Sequence, residues 1–128
     1  MAEGDPALEV RSLAPLECAP DDVLEAAGVL LFTPTHFGSM AGLVKDWFER
    51  IWHPCLDHTV GRPFGLAVKG SVDVDGGVAS VEKLAVAGLR WKPIAAPLTV
   101  VGDVEQQHLD AAWELGATMA AGLAEHLW

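Results

Sequence analysis

The stretch T-P-T-H-F-G-S-M, Thr33 to Met40, follows the apolar run Val29-Leu30-Leu31-Phe32 and precedes an amphipathic segment. Its residue types suit contact with a flat, amphipathic heterocycle. Pro34 stiffens a turn, Thr33, Thr35 and Ser39 offer hydroxyls, Phe37 brings a planar ring, and Gly38 a permissive backbone. A second candidate loop, Lys69-Gly-Ser-Val-Asp-Val-Asp-Gly-Gly77, follows another apolar run. A third cluster, His53, Cys55, Asp57 and His58, has residue types that ligate zinc. Its spacing matches no standard finger, and Pro54 stiffens it, so a loop closing the preceding helix is the simpler role. Cys55 has a histidine nearby but no third group to orient it as a nucleophile.

The elements that must position these loops alternate. Glu9 to Ala14 reads as a weak strand, punctuated by Pro15 and Pro20. Asp21-Asp22 caps a short helix, Val23 to Ala27, closed by Gly28, and Val29 to Thr33 is a buried strand ending at Pro34. From Ser39 the period changes: Leu43, Val44, Trp47, Phe48, Ile51 and Trp52 recur at three- and four-residue steps, a helix docked by one face and ended at Pro54. Phe64 to Val68 is a second buried run, followed by a helix from about Val78 to Ala87 that Gly88 closes. Leu98 to Val101 is the third run. Asp103 and Gln106 then predict a capping box for a last helix burying Leu109, Trp113, Gly116, Ala120, Leu123 and Leu127. Alternating strands and helices predict a single α/β domain over residues 1–128, a three-layer open parallel sheet with helices on both faces. In such a sheet ligands sit beyond the carboxyl ends of the strands, where both candidate loops fall.

Composition narrows the function classes. In 128 residues, 18 Asp+Glu oppose 8 Lys+Arg for a formal charge of −10, without a basic run, so nucleic acid is not an expected partner. Neither a membrane span nor a secretory leader is predicted, and the expected location is the cytoplasm. Cys18 and Cys55 lack paired spacing and are read as thiols. Trp47, Trp52 and Trp113 fit helix core faces; Trp91 has two open placements, core or crevice. Lys69 and Arg90 are the cations expected nearest the crevice, with a solvated surface role as the alternative.

Thr33-Pro34-Thr35-His36-Phe37-Gly38-Ser39-Met40 resembles the P-T-x-F-G-[NS]-M loop of the WrbA-like flavodoxins and NAD(P)H-dependent FMN reductases. Trp52-His-Pro-Cys-Leu-Asp57, Gly61-Arg-Pro-Phe-Gly-Leu66 and Trp113-Glu-Leu-Gly-Ala-Thr118 resemble stretches of actinobacterial flavodoxin-family proteins, and the similarity runs from about Glu9 to Gly122. The resemblance implies a flavodoxin-like fold in which Pro34, Thr35, His36, Phe37, Gly38, Ser39 and Met40 lie along FMN, with Gly70, Ser71 and Gly76 closing from the other side. His36 stands where the WrbA type often has a basic residue. It implies NAD(P)H as co-substrate, a quinone or other small acceptor, and a homo-oligomer.

Two departures accompany it. Asp73 and Asp75 occupy a loop that is small and neutral in the WrbA type, and carboxylates repel a phosphate or a reduced flavin. The family's first strand, phosphate loop and first helix are not matched; Met1-Ala-Glu-Gly4 reads as the tail of that helix, so the fold is expected in N-terminally truncated form. The missing strand belongs between the Glu9–Ala14 and Val29–Thr33 strands, which predicts an open edge. Three readings follow: a fragment or misplaced start, a strand borrowed from a partner, or a flavin-free module that associates through its sheet edge.

Overall fold

The computed structural model describes residues 8–128, so the reading of Met1 to Gly4 as a helix tail lies outside it. After a 3-10 turn at Pro15–Glu17 come helix α1 (Pro20–Glu25), strands β1 (Val29–His36) and β2 (Ser39–Met40), and helix α2 (Gly42–Cys55). Strand β3 (Pro63–Gly70) leads into α3 (Asp75–Glu82), which runs on as a π-helical turn, Lys83–Gly88. Short strand β4 (Lys92–Pro93), β5 (Leu98–Val101) and α4 (Gln106–Ala124) complete the chain.

Three parallel paths form the sheet. β1 and β3 are in register from Val29 beside Phe64 to Pro34 beside Lys69. β4 and β5 pair with successive parts of β3, Pro63–Phe64 and Ala67–Gly70, and act as one interrupted strand. Alternation along the strands separates two faces. Leu31, Phe64, Leu66 and Val68 enter a core with Val44, Trp47, Phe48 and Ile51 of α2, Val81 of α3 and Ala85 of the π-turn. On the opposite face Gly65 lies beside Leu30 and Leu115, and Gly28 beside Met119 and Leu123, so α4 packs there. The result is a helix–sheet–helix arrangement, as the order of sequence patterns predicts.

The amino-end half of the core is aromatic. Trp91 is buried with ring centroids 5.4 Å from Phe64 and 6.2 Å from both Trp47 and Phe48. Its indole N–H donates to Thr59 Oγ1 at 2.8 Å, and that hydroxyl donates to the Cys55 carbonyl at 2.9 Å. This chain satisfies the polar atoms that burial would otherwise leave unpaired, and it places Trp91 in the core, far from the crevice.

Several boundaries differ from expectation. Glu9 to Ala14 is irregular, since a strand needs a neighbour to complete its ladder. Polar ties hold the following turn: Arg50 donates to the Pro15 carbonyl at 2.6 Å and the Cys18 carbonyl at 3.2 Å, and Arg11 pairs with Asp22 at 3.0 Å. α1 starts at Pro20, because Asp22 reaches back to accept from the Ala19 N–H at 2.8 Å. β1 does not stop at Pro34 but continues to His36, and Ser39–Met40 is strand before α2 begins at Gly42. α4 is not capped by Asp103 and Gln106; Glu105 precedes it, its N–H donating to His108 Nδ1 at 2.9 Å. The expected face of α4 is also rotated. Leu115, Gly116, Met119 and Gly122 are buried, whereas Leu109 and Trp113 are each 55% exposed. Gly28 and Gly65 explain it: with no Cβ they admit Met119 and Leu115 against the sheet, and that contact sets the helix rotation.

Candidate functional site

Thr33 to Met40 forms a β-hairpin whose second arm is β2. Thr35 pairs with Met40 and His36 with Ser39, which leaves Phe37 and Gly38 as a two-residue turn. Both have positive φ, 51° and 73°, the combination that suits the right-handed twist of a tight hairpin. Phe37 accepts this conformation at a cost and is fully exposed. The hairpin root is fixed by Met40, buried in the core, and by two hydroxyls. Thr33 Oγ1 accepts from the Ala41 N–H at 3.2 Å. Ser80 Oγ accepts from the Met40 N–H at 2.9 Å and donates to the Gly77 carbonyl at 2.9 Å.

The second loop leaves β3 at Gly70, where the backbone doubles back so closely that a Cβ would meet the Asp73 carbonyl oxygen at 2.2 Å. Asp73 Oδ1 accepts from the Asp75 N–H at 2.9 Å, a side-chain turn that leads into α3. The first residues of α3 then press on the hairpin. A Cβ on Gly76 would lie 2.0 Å from the Gly38 carbonyl oxygen, and one on Gly77 would lie 2.6 Å from Thr35 Oγ1. On the far side, Gly102 N–H donates to the Gly70 carbonyl at 2.8 Å. Glycines thus fuse the carboxyl ends of β1, β3 and β5 into one continuous surface.

The structure brings all ten candidate residues to this end of the sheet, in different settings. Pro34, His36, Phe37, Gly38 and Ser71 are exposed, Ser39 and Gly76 half-buried, and Met40 and Gly70 buried. The Thr35 hydroxyl is turned inward beneath Gly77 and finds no hydrogen-bond partner among the described residues. Lys69, the last residue but one of β3, lies at the crevice end and is exposed. Arg90 lies at the opposite end, where its carbonyl accepts from the Gly61 N–H and its guanidinium pairs with Asp57. His53, Cys55, Asp57 and His58 do not converge: Cys55 is in the core, and no metal-holding group of three or more His, Cys, Asp or Glu occurs among the described residues. Burial pushes the Cys55 thiol up from its ordinary value, which suits packing rather than nucleophilic attack. The sequence reading missed Ser80, and it named Gly77 only as the end of the second candidate loop. Their partners are 40 and 42 positions upstream, at Met40 and Thr35, so no local pattern marks them.

No family model and no curated protein matches the chain. Among solved structures it is similar to rubredoxin oxygen:oxidoreductase from the anaerobe Desulfovibrio gigas. The TM-score is 0.66 at 16% identity, over 80% of this chain and 24% of that one. It is also similar to general stress protein 14 of Treponema denticola, solved in complex with FMN, at TM-score 0.51 and 17% identity, over 82% of this chain and 70% of that one. The fold is flavodoxin-like. This chain spans about a quarter of the first protein's length. Within the flavodoxin-like sheet, the hairpin and the Gly70–Gly76 loop occupy the carboxyl edge, where open parallel sheets take their ligands.

Proposed function

We propose that this protein is a flavin-binding, flavodoxin-like domain that passes electrons from NAD(P)H, through FMN, to a quinone or another small acceptor. The observation that carries the reading is the contact between Gly38 and Gly76, which joins two loops from adjacent strand ends into one platform beside the exposed Phe37 ring. Its chemistry fits the ring part of a flavin: a flat backbone surface, one aromatic side chain, and half-buried Ser39 at the rim. It does not supply the phosphate end equally well. Asp73 and Asp75 beside the platform are repulsive to an anion, with exposed Lys69 as the cation at the end of β3. The FMN complex of general stress protein 14 supports the ligand class.

A bound flavin would supply the hydride and electron chemistry itself. The chain's own share is to hold the ring on the hairpin tip and to keep that tip rigid through Met40, Ser80 and Thr33. The test is NAD(P)H-dependent reduction of a soluble quinone by the purified chain with added FMN. The expected result is FMN-dependent turnover that Phe37→Ala lowers; equal turnover by the variant and the parent would overturn the reading. A second reading, a flavin-free module that associates through its sheet edge, is favoured by one observation. No strand pairs with the outer edge of β1 from Val29 to Pro34 among the described residues.

A further inference from the structure

The two loops joined at the crevice end in apolar tips, with carboxylates set beside them. Phe37 is fully exposed at the hairpin turn, and Val72, in the loop after β3, is 87% exposed. Asp73 and Asp75 stand on either side of Val74, which is buried and anchors the loop in the core, so both carboxylates are left at the surface. Their places are fixed. Gly70 lies so close to the Asp73 carbonyl that no side chain fits between them, and the Asp73 carboxylate accepts from the Asp75 N–H at 2.9 Å. Asp75 directly precedes Gly76, and consecutive Cα atoms lie about 3.8 Å apart, so its charge stands at the rim of the contact between Gly76 and the Gly38 carbonyl. Asp103 adds a third carboxylate beside Gly102, whose N–H donates to the Gly70 carbonyl. These charges are not neutralised locally. The ion pairs among the described residues are Arg11–Asp22, Lys45–Glu49, Arg50–Asp46 and Arg90–Asp57, and none includes a rim carboxylate. Lys69 alternates with buried Val68 along β3 and is turned to the α4 face of the sheet, away from α3. The hairpin itself, Thr33 to Met40, has no Lys, Arg, Asp or Glu.

We propose that Asp73 and Asp75 make this platform select its electron acceptor by charge, so that the acceptor is an apolar aromatic cation, taken in preference to a neutral quinone and far ahead of an anion. The inference rests on the flavin-binding reading and names the acceptor that reading leaves open. Each feature of the rim has a part in it. Phe37 and Val72 give apolar contact, and the face of the Phe37 ring attracts positive charge. The rim carboxylates add a field that draws cations in and turns anions away, over a range of about 10 Å at 0.1 M salt. The same charges favour release. An aromatic cation that takes up two electrons and one proton leaves as a neutral molecule, the second proton of the reduced flavin passing to solvent, so the product loses the attraction that brought the reactant.

The test loads the 128-residue chain with FMN, removes the excess by gel filtration, and measures by equilibrium dialysis how the oxidised protein binds three aromatic probes. These are N-methylphenazinium, a cation; menadione, which is neutral; and a naphthoquinone sulfonate, an anion. Binding at low salt is expected in that order. The Asp73→Asn/Asp75→Asn pair keeps the side-chain oxygen that accepts from the residue 75 N–H and removes both charges. It should weaken the cation at least about 5-fold, change menadione by less than about 2-fold and tighten the sulfonate. Raising salt from about 10 mM to about 500 mM should shift the parent chain the same way. Glu25→Gln/Glu125→Gln, at exposed positions by the amino end of the sheet, changes net charge equally and should leave all three affinities within about 2-fold. Anaerobic reoxidation of the photoreduced chain by each probe is the second readout, and its rate constants should respond to the variants as the affinities do. Retained FMN with binding indifferent to charge, or a control pair that acts as strongly as the rim pair, would overturn this inference alone. Failure to retain FMN would overturn the flavin-binding reading and this inference with it.

Discussion

At the scale of single residues, the candidate site is built by atoms that are missing. Gly76 meets the Gly38 backbone because it has no Cβ, and Gly76→Val would drive a methyl-bearing carbon into the Gly38 carbonyl, 2.0 Å from the Cβ position. That clash is with backbone, so the loops must separate. We expect Gly76→Val to lower stability by about 1–3 kcal/mol in urea unfolding and to weaken flavin binding. Thr35 gives the opposite case. Its hydroxyl is buried without a partner among the described residues, which costs about 1–3 kcal/mol, and a methyl of the same shape removes that cost. Thr35→Val is expected to raise the urea midpoint and to leave flavin affinity unchanged, since the hydroxyl points at Gly77 and away from solvent. A drop in both would mean that the hydroxyl turns outward to a ligand.

At the scale of elements, much of the architecture was legible in the sequence, for identifiable reasons. α2 carries its apolar residues at helical spacing, and Val44, Trp47, Phe48 and Ile51 are buried as that spacing predicts. The uninterrupted apolar run of β3 is buried on both sides, from Phe64 to Leu66. What was not legible depended on partners distant in sequence. The rotation of α4 is set by Gly28 and Gly65, whose effect on a helix 50 or more residues away leaves no periodic trace in α4 itself. The second arm of the hairpin is two residues long, too short for any alternation to appear. Glu9 to Ala14 alternates like a strand yet has no strand to lie against among the described residues. Of the candidate site, the loop identities were readable, but the inward turn of Thr35 and the bridging role of Ser80 were not. The two tryptophans put this to a test. Trp113→Gln should change stability by no more than about 0.5 kcal/mol, whereas Trp91→Ala, which empties the aromatic core, should cost about 3–5 kcal/mol. Equal costs in thermal or urea unfolding would contradict the rotation of α4.

At the scale of the whole molecule, one packed face and one half-open face share a single sheet. The packed face also responds to pH. Burial raises the Cys55 thiol above its ordinary value of 9.0, so the folded chain keeps a proton that the unfolded chain releases as pH rises past that value. Below it both states are protonated and the effect vanishes; above it, stability falls. The urea midpoint is therefore expected to drop as pH rises past 9.0, with a shallower drop in Cys55→Ala. The same slope in both chains would assign the alkaline loss elsewhere, with Cys18, also raised by burial, the first to substitute. The crevice end of the sheet carries the functional claim, and it is tested most directly by titrating FMN into the 128-residue chain while following flavin fluorescence, beside a Phe37→Ala/Gly38→Val double variant. The account predicts saturable quenching by the parent chain and none by the variant, with riboflavin quenched as FMN is because the platform holds the ring. No saturable quenching by the parent, or equal quenching by the variant, would contradict it.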